Sequence, residues 1–335
     1  MISDRSFSKE IFRPRVIIWQ LTPFLNGEVQ QDDQPLSQQE SMLITESIAR
    51  ISKSIVVLTG NKLLQRNDLY DIVDYGHALG LKIILELEPE ELTSEVLAKY
   101  RHFGSRIFRI VLDRRIIEDP DKRYRQTEQF FNLEEAVKRL NAEGFEIHFA
   151  LNITKPDQRD LAFNLDYAFR RSAKGVYCHL HFDKTLPEFV SRNENELSVD
   201  DFVSKISELK PLLPNNMYCS PQCIKYVGYH PEDFPEIEFS VGEFPHWVSQ
   251  CLAGKSFAFI SETGKVFVCS GLTKECGDLR SNGYDFEDIW FNSEIFQDVR
   301  DNNWTCAQTR TQFKGNGHNG NGVNHVKISF GDEHS

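Results

Sequence analysis

The sequence predicts an α/β protein: an open, partial (β/α)6 TIM-like barrel followed by a small C-terminal hairpin-helix unit. From residue 15 to about 185, short β-rich apolar runs alternate with amphipathic stretches. That alternation implies a parallel sheet with helical crossovers. Gly80 and Gly144 each follow the last periodic residue of a helical stretch, where a left-handed C-cap belongs. Further on, Phe257 to Ile260 and Lys265 to Cys269 flank the segment SETG, a hairpin signal in which Gly264 supplies the turn.

The strands expected in order are Val16 to Leu21, Ile55 to Thr59, Lys82 to Leu87, Ile107 to Leu112, Glu146 to Ile153 and Gly175 to Phe182. Leu69 to Leu79 and Leu133 to Glu143 are the clearest helices between them. Six strands suit an open barrel better than a closed one of eight. Residues 1–12 read as an N-terminal extension and 13–186 as the barrel. Residues 187–246 are polar and Pro-rich, with a helix from Ser198 to Leu209, and read as a bridge. The second unit covers 247–306 and includes a helix from Phe286 to Arg300; residues 307–335 form a Gly- and Asn-rich tail expected to be disordered.

Composition bounds the partners. The chain has 335 residues, 40% hydrophobic and 26% charged, enough to bury a sizeable core. A net charge of -12 repels nucleic-acid phosphate and anionic membrane surfaces, so neither is an expected partner. The start lacks an apolar signal region and no run is long enough to span a bilayer, so a cytoplasmic location is expected. Seven cysteines, an odd number, argue for free thiols or metal ligands over a disulfide framework.

Four blocks carry a resemblance: RPRVIIWQLT at 13–22, SKSIVVLTGNKLLQRNDLYDIVDYGHALGLK at 52–82, CLAGKSFAFISETGKVFVCSGL at 251–272 and GDLRSNGYDFEDIWFNSEIFQDVR at 277–300. Over nearly its whole length the chain resembles radical S-adenosylmethionine (SAM) proteins with a SPASM/twitch-like C-terminal domain. The resemblance is greatest to the NirJ-like and Ahb-like branch that acts on haem precursors. It implies a cluster-binding loop after the first strand, with Thr22 and Asn26 at framework positions. The three cysteines of the family's C-x3-C-x2-C pattern would fall on Leu25, Val29 and Asp32, none of which is a thiolate.

The SAM-binding positions implied by the resemblance depart as well. Gly60, Asn61, Lys62 and Leu63 stand where the family carries Gly-Gly-Glu-Pro, so Lys62 reverses a charge expected to face the SAM ammonium. Glu88 and Pro89 replace Asn-Gly, and of Ser-Leu-Asp-Gly only Asp113 is kept. In the second unit Cys251, Cys269 and Cys306 occupy ligand-type positions, while Thr309, Gly315 and Asn319 fall at further cysteine positions. From these departures the expected cofactor set is none, with SAM binding not expected.

Other groups have a sharper and a plainer reading. Cys251, Cys269, Cys276 and Cys306 could supply four thiolates to a residual iron–sulfur cluster or zinc; without a close C-x2-C pair they read as free, partly buried thiols. His179 and His181 alternate along the sixth strand, as ligands in the barrel or as a hydrogen-bonded face. Arg114, Arg115, Lys122, Arg123 and Arg125 form a basic patch that reads as a solvated loop or as an anion site at the barrel mouth, and Cys219 is expected near the strand ends. The expectation is a pseudoenzyme, not catalytic as a radical SAM enzyme. It would partner a radical SAM maturase or present that enzyme's tetrapyrrole or peptide substrate. The alternatives are an active radical SAM/SPASM enzyme with cluster ligands from elsewhere, and a decayed relic.

Overall fold

The computed structural model describes residues 12–23, 34–102, 106–112, 126–152, 167–168, 170–179, 218–219, 224–228, 253–269 and 274–301. Six strands run parallel in chain order: β1 (Val16–Gln20), β2 (Ile55–Thr59), β3 (Lys82–Leu87), β4 (Ile107–Leu112), β5 (Glu146–Asn152) and β6 (Gly175–His179). Between them lie α1 (Gln38–Ile51), α2 (Leu69–Ala78), α3 (Ser94–His102) and α4 (Glu128–Ala142). Two antiparallel strands, β7 (Tyr218–Cys219) and β8 (Ile224–Gly228), extend the sheet beyond β6. On the other side, β9 (Phe257–Ile260) pairs in parallel with β1, and β10 (Lys265–Phe267) and β11 (Glu275–Asp278) continue as an antiparallel meander. The order β11-β10-β9-β1-β2-β3-β4-β5-β6-β8-β7 is linear, so the partial barrel is open. Among the described residues no helix is long and apolar enough to cross a membrane.

Local chemistry explains these elements. VIIWQ, IVVLT and KIILEL are β-branched and apolar, and β1 and β2 are buried at every position; strands covered on both faces read this way. Helix α1 starts with a capping box, Ser37 accepting from the amide of Glu40 while Glu40 accepts from the amide of Ser37. Gly80 (φ +83) and Gly144 (φ +73) adopt the left-handed conformation after α2 and α4. The helices cover one face of the sheet. There Tyr100 of α3 donates to the carbonyl of Ile83 at 3.0 Å and stacks on Phe108 at 4.5 Å.

The expected C-terminal hairpin is present, with Gly264 at φ +91 in its turn. The single helix expected from Phe286 to Arg300 is two: α5 (Phe286–Asn292) and α6 (Glu294–Asp301), broken at Ser293, which is extended at φ -61, ψ 127. The break folds α6 back so that Phe296 packs on Trp290 at 4.8 Å, burying both rings. The expected helix 198–209 and the expected disordered tail lie outside the described residues.

The hairpin unit is tied to α1 through Arg280. Its Nε donates to Glu40 at 2.7 Å, and Tyr284 donates to the same carboxylate at 3.0 Å. The Arg280 guanidinium is the main cause that holds Glu40 down at about 2 instead of 4.5. A depressed folded pKa means that this stabilisation is full above the ordinary carboxylate value and is lost as pH falls from 4.5 towards about 2. Glu40→Gln is therefore expected to lower the urea midpoint at neutral pH and to flatten the loss of stability over that acid window. A pH series of urea titrations followed by circular dichroism measures it.

Candidate functional site

In an open parallel barrel, ligands sit at the carboxyl ends of the strands. Here the ends of β1 and β2 interlock. Leu21 donates its amide to Thr59 O at 2.8 Å, and Thr22 Oγ1 donates to Asn61 O at 2.9 Å. Gly60 has φ +143, and a Cβ there would lie 2.2 Å from Thr22 Oγ1, so only glycine admits this approach. Lys62 follows in the left-handed region at φ 49 with its side chain exposed. Leu63 is buried and opens a short 3-10 turn. Glu88 caps the turn Pro89–Glu91 after β3. Glu91 accepts from the amides of Glu88 (3.0 Å) and Leu64 (3.3 Å), joining the turns that follow β2 and β3. Burial raises the pKa of Glu91 above the usual carboxylate value.

A polar row crosses the sheet face opposite the helices. Gln20 of β1 pairs with Thr59 of β2, Glu86 of β3 with Arg109 of β4, and Arg109 with His148 of β5. Thr59 Oγ1 donates to Glu86 Oε1 at 2.8 Å, and Arg109 Nη1 donates to Glu86 Oε2 at 3.2 Å. All five residues are buried, Arg109 at 1% exposure and His148 at 0%. Desolvation first, then the charges of Arg109, Lys82 and Lys174, pushes His148 down to about 3. Its ring is therefore neutral throughout the physiological range. Glu86 compensates Arg109, so the row is a charge-balanced hydrogen-bonding floor and not a bare anion hole. The row was not singled out from the sequence. Its signal was there: single polar residues inside the apolar runs KIILEL, IFRIVL and EIHFALN.

The other expected site residues divide between placed and outside. Leu25, Val29, Asp32, Asp113, Arg114, Arg115, Arg125, His181, Cys251 and Cys306 lie outside the described residues. His179 ends β6, its backbone in register with Asn152 and Ile224; Cys219 lies in β7 opposite Val227. Cys269 is buried, and burial pushes the Cys276 thiol up to about 12, so it is protonated. Among the described residues no group of three or more His, Cys, Asp or Glu is placed to hold a metal ion.

The solved structures share this fold. Streptococcus suis SuiB superposes with a TM-score of 0.59 at 11% identity, covering 88% of this chain and 69% of that one. SuiB bound to S-adenosylmethionine gives 0.58, and the enzyme anSMEcpe with bound AdoMet gives 0.51 at 11% identity over 85% of this chain and 82% of that one. The chain shares the fold of SuiB and anSMEcpe, an open parallel barrel with a C-terminal hairpin-helix extension. In sequence, the chain is a relative of proteins named AdoMet-dependent heme synthase. It is 25% identical to the one from Methanosarcina barkeri over 316 residues, 86% of this chain and 85% of that one. It is 23% identical to the one from Oleidesulfovibrio alaskensis over 303 residues, 85% of this chain and 76% of that one. No family model matches the chain.

These comparisons correct the expectation that the cofactor set is none and that SAM does not bind. SuiB, which shares the fold, holds S-adenosylmethionine, and the sequence relatives are AdoMet-dependent by name. Lys62 does not oppose a bound ammonium by its charge alone, because its side chain is exposed on a left-handed turn. There water and salt screen the lysine ammonium and it is not forced to face a ligand. What stands is a statement about donors: no cysteine precedes Cys178, so three thiolates from the β1–α1 connection are not available to hold an iron–sulfur cluster.

Two outcomes test this geometry. Glu86→Ala removes the carboxylate from a buried guanidinium and is expected to cost about 3–5 kcal/mol in urea unfolding, whereas Glu86→Leu with Arg109→Met should recover most of that loss. Gly60→Ala is expected to destabilise by roughly 2 kcal/mol or more, since it meets both the positive φ and Thr22. An unchanged melting temperature would refute the close approach.

Proposed function

We propose that this chain is a tetrapyrrole-binding partner protein of haem-synthase type. It takes a carboxylated tetrapyrrole at the barrel mouth and presents it to an active radical SAM enzyme. One combination of features carries the reading: a complete parallel framework with a buried polar floor, in a chain with no cysteine before Cys178. The name of the sequence relatives supplies the ligand class, a haem-type tetrapyrrole. Tetrapyrrole carboxylates need cationic, hydrogen-bonding partners near the strand ends. Arg114, Arg115 and Arg125 follow β4 in the sequence and are the residues proposed for that role. A peptide substrate is the second ligand class, and SAM is the nucleotide-type ligand that the relatives' name carries over to this site.

The same name favours a second reading, an active AdoMet-dependent enzyme whose cluster ligands are other than residues 25, 29 and 32. Anaerobic reconstitution with iron and sulfide separates the two. A stoichiometric cluster with reductive cleavage of SAM assigns catalysis to this chain and overturns the partner reading. For the ligand, coproporphyrin III is titrated against wild type and Arg114→Glu/Arg115→Glu, with fluorescence quenching as the readout. The double reversal is expected to weaken binding by about 1–3 kcal/mol if the contacts are charge-assisted. Equal affinities, or no binding by the wild type, would leave a relic as the better description.

A further inference from the structure

We propose that Arg66 and Arg280 are positioning residues that grip one short strap, Gln34–Leu36, and so fix the carboxyl end of β1 to the C-terminal hairpin. Three successive carbonyls of the strap are captured by two guanidinium groups. Arg280 Nη1 donates to Gln34 O at 2.7 Å and its Nη2 to Pro35 O at 3.1 Å; Arg66 Nη2 donates to Leu36 O at 2.8 Å. Arg66 reaches from the turn after β2. Its Nη1 also donates to Leu21 O at 2.9 Å, at the end of β1, and its Nη2 to Ser41 Oγ at 2.9 Å in α1. Asp68 holds the same guanidinium at 2.6 Å and 2.9 Å, the two side chains being 10% and 15% exposed.

The hairpin meets the strap a second time. Leu36 donates its amide to Glu262 O at 2.8 Å, and its buried side chain packs so closely on Gly264 that a Cβ there would lie 3.1 Å from Leu36 Cδ2. The strap is therefore shared by the barrel and the hairpin. Arg66 sets the distance between Leu21 and Leu36, one residue short of Thr22 and the interlocked end of β2. The planar guanidinium, with five donors, reaches two carbonyls, the Ser41 hydroxyl and both Asp68 oxygens at once, five acceptors against the three donors of a lysine ammonium. The proposal rests on these contacts alone and not on the ligand assigned above.

Native-state hydrogen exchange on the full chain tests it, reading the amides of Leu36 and Ser41 against those of β4. The Leu36 amide bonds to Glu262 O, so its exchange reports opening of the strap, and the Ser41 amide bonds to Ser37 O, so its exchange reports opening of the first turn of α1 that Arg66 holds through Ser41 Oγ. Arg66→Ala is expected to speed both amides by about tenfold more than it speeds β4, and Arg280→Ala to do so at Leu36. Because both arginines hold one element, the double variant should fall short of the product of the single effects by about fivefold. Arg66→Lys keeps the charge and tests the fork; it should behave like Arg66→Ala. Uniform acceleration that includes β4, multiplicative single effects, or wild-type protection in Arg66→Lys would each overturn the proposal. Loss of porphyrin binding with exchange as expected would count against the functional reading only.

Discussion

Register is the constraint on which the sheet depends, and the Glu86–Arg109 pair enforces it. Their neighbours in the same strands, Leu85 and Phe108, face the helices, and a slip of one residue in either strand would drive its own charged group into that apolar layer. Such a slip would leave two buried charges without each other, a loss of about 3–5 kcal/mol for a broken buried pair. Thr59 and His148 extend the same logic to β2 and β5. The row is thus a register key spanning the centre of the barrel. It fixes which residues reach the strand ends, where open parallel barrels place their ligands.

Much of the framework was legible in the sequence because periodicity and glycine placement are local signals. The six parallel strands follow from apolar β-rich runs, and Gly80, Gly144 and Gly264 stand where their conformation is needed. The break at Ser293 was not legible, because it depends on Phe296 finding Trp290 rather than on any helix-breaking residue. Pairing of β1 with β9 was equally hidden, since the two strands lie far apart in the chain. The polar row escaped because each member is a single residue in its own strand, and only the register brings them together.

The candidate site shows a different division. The donor inventory of a sequence is reliable: where there is no cysteine there is no thiolate. Whether a substituted side chain blocks a ligand is not a matter of inventory. It depends on exposure and on backbone direction, as at Lys62, which is carried on a left-handed turn with its side chain in water. The close approach of Thr22 to Gly60 has the opposite character. It involves the backbone of Thr22 as well as its hydroxyl, so it is set where the ends of β1 and β2 meet.

The pairing of β1 on both edges also sets a timetable. Ile17 lies between Val56 and Ala258, so its second partner is synthesised 241 residues later (258 − 17). At roughly 5–20 residues per second, that edge of VIIWQ waits on the order of tens of seconds on the ribosome. Throughout that interval an apolar, β-branched strand presents unpaired backbone groups, the condition that recruits chaperones or seeds aggregation. How long that edge waits for its partner depends on chain order and elongation rate, quantities that the stability of the finished sheet does not report.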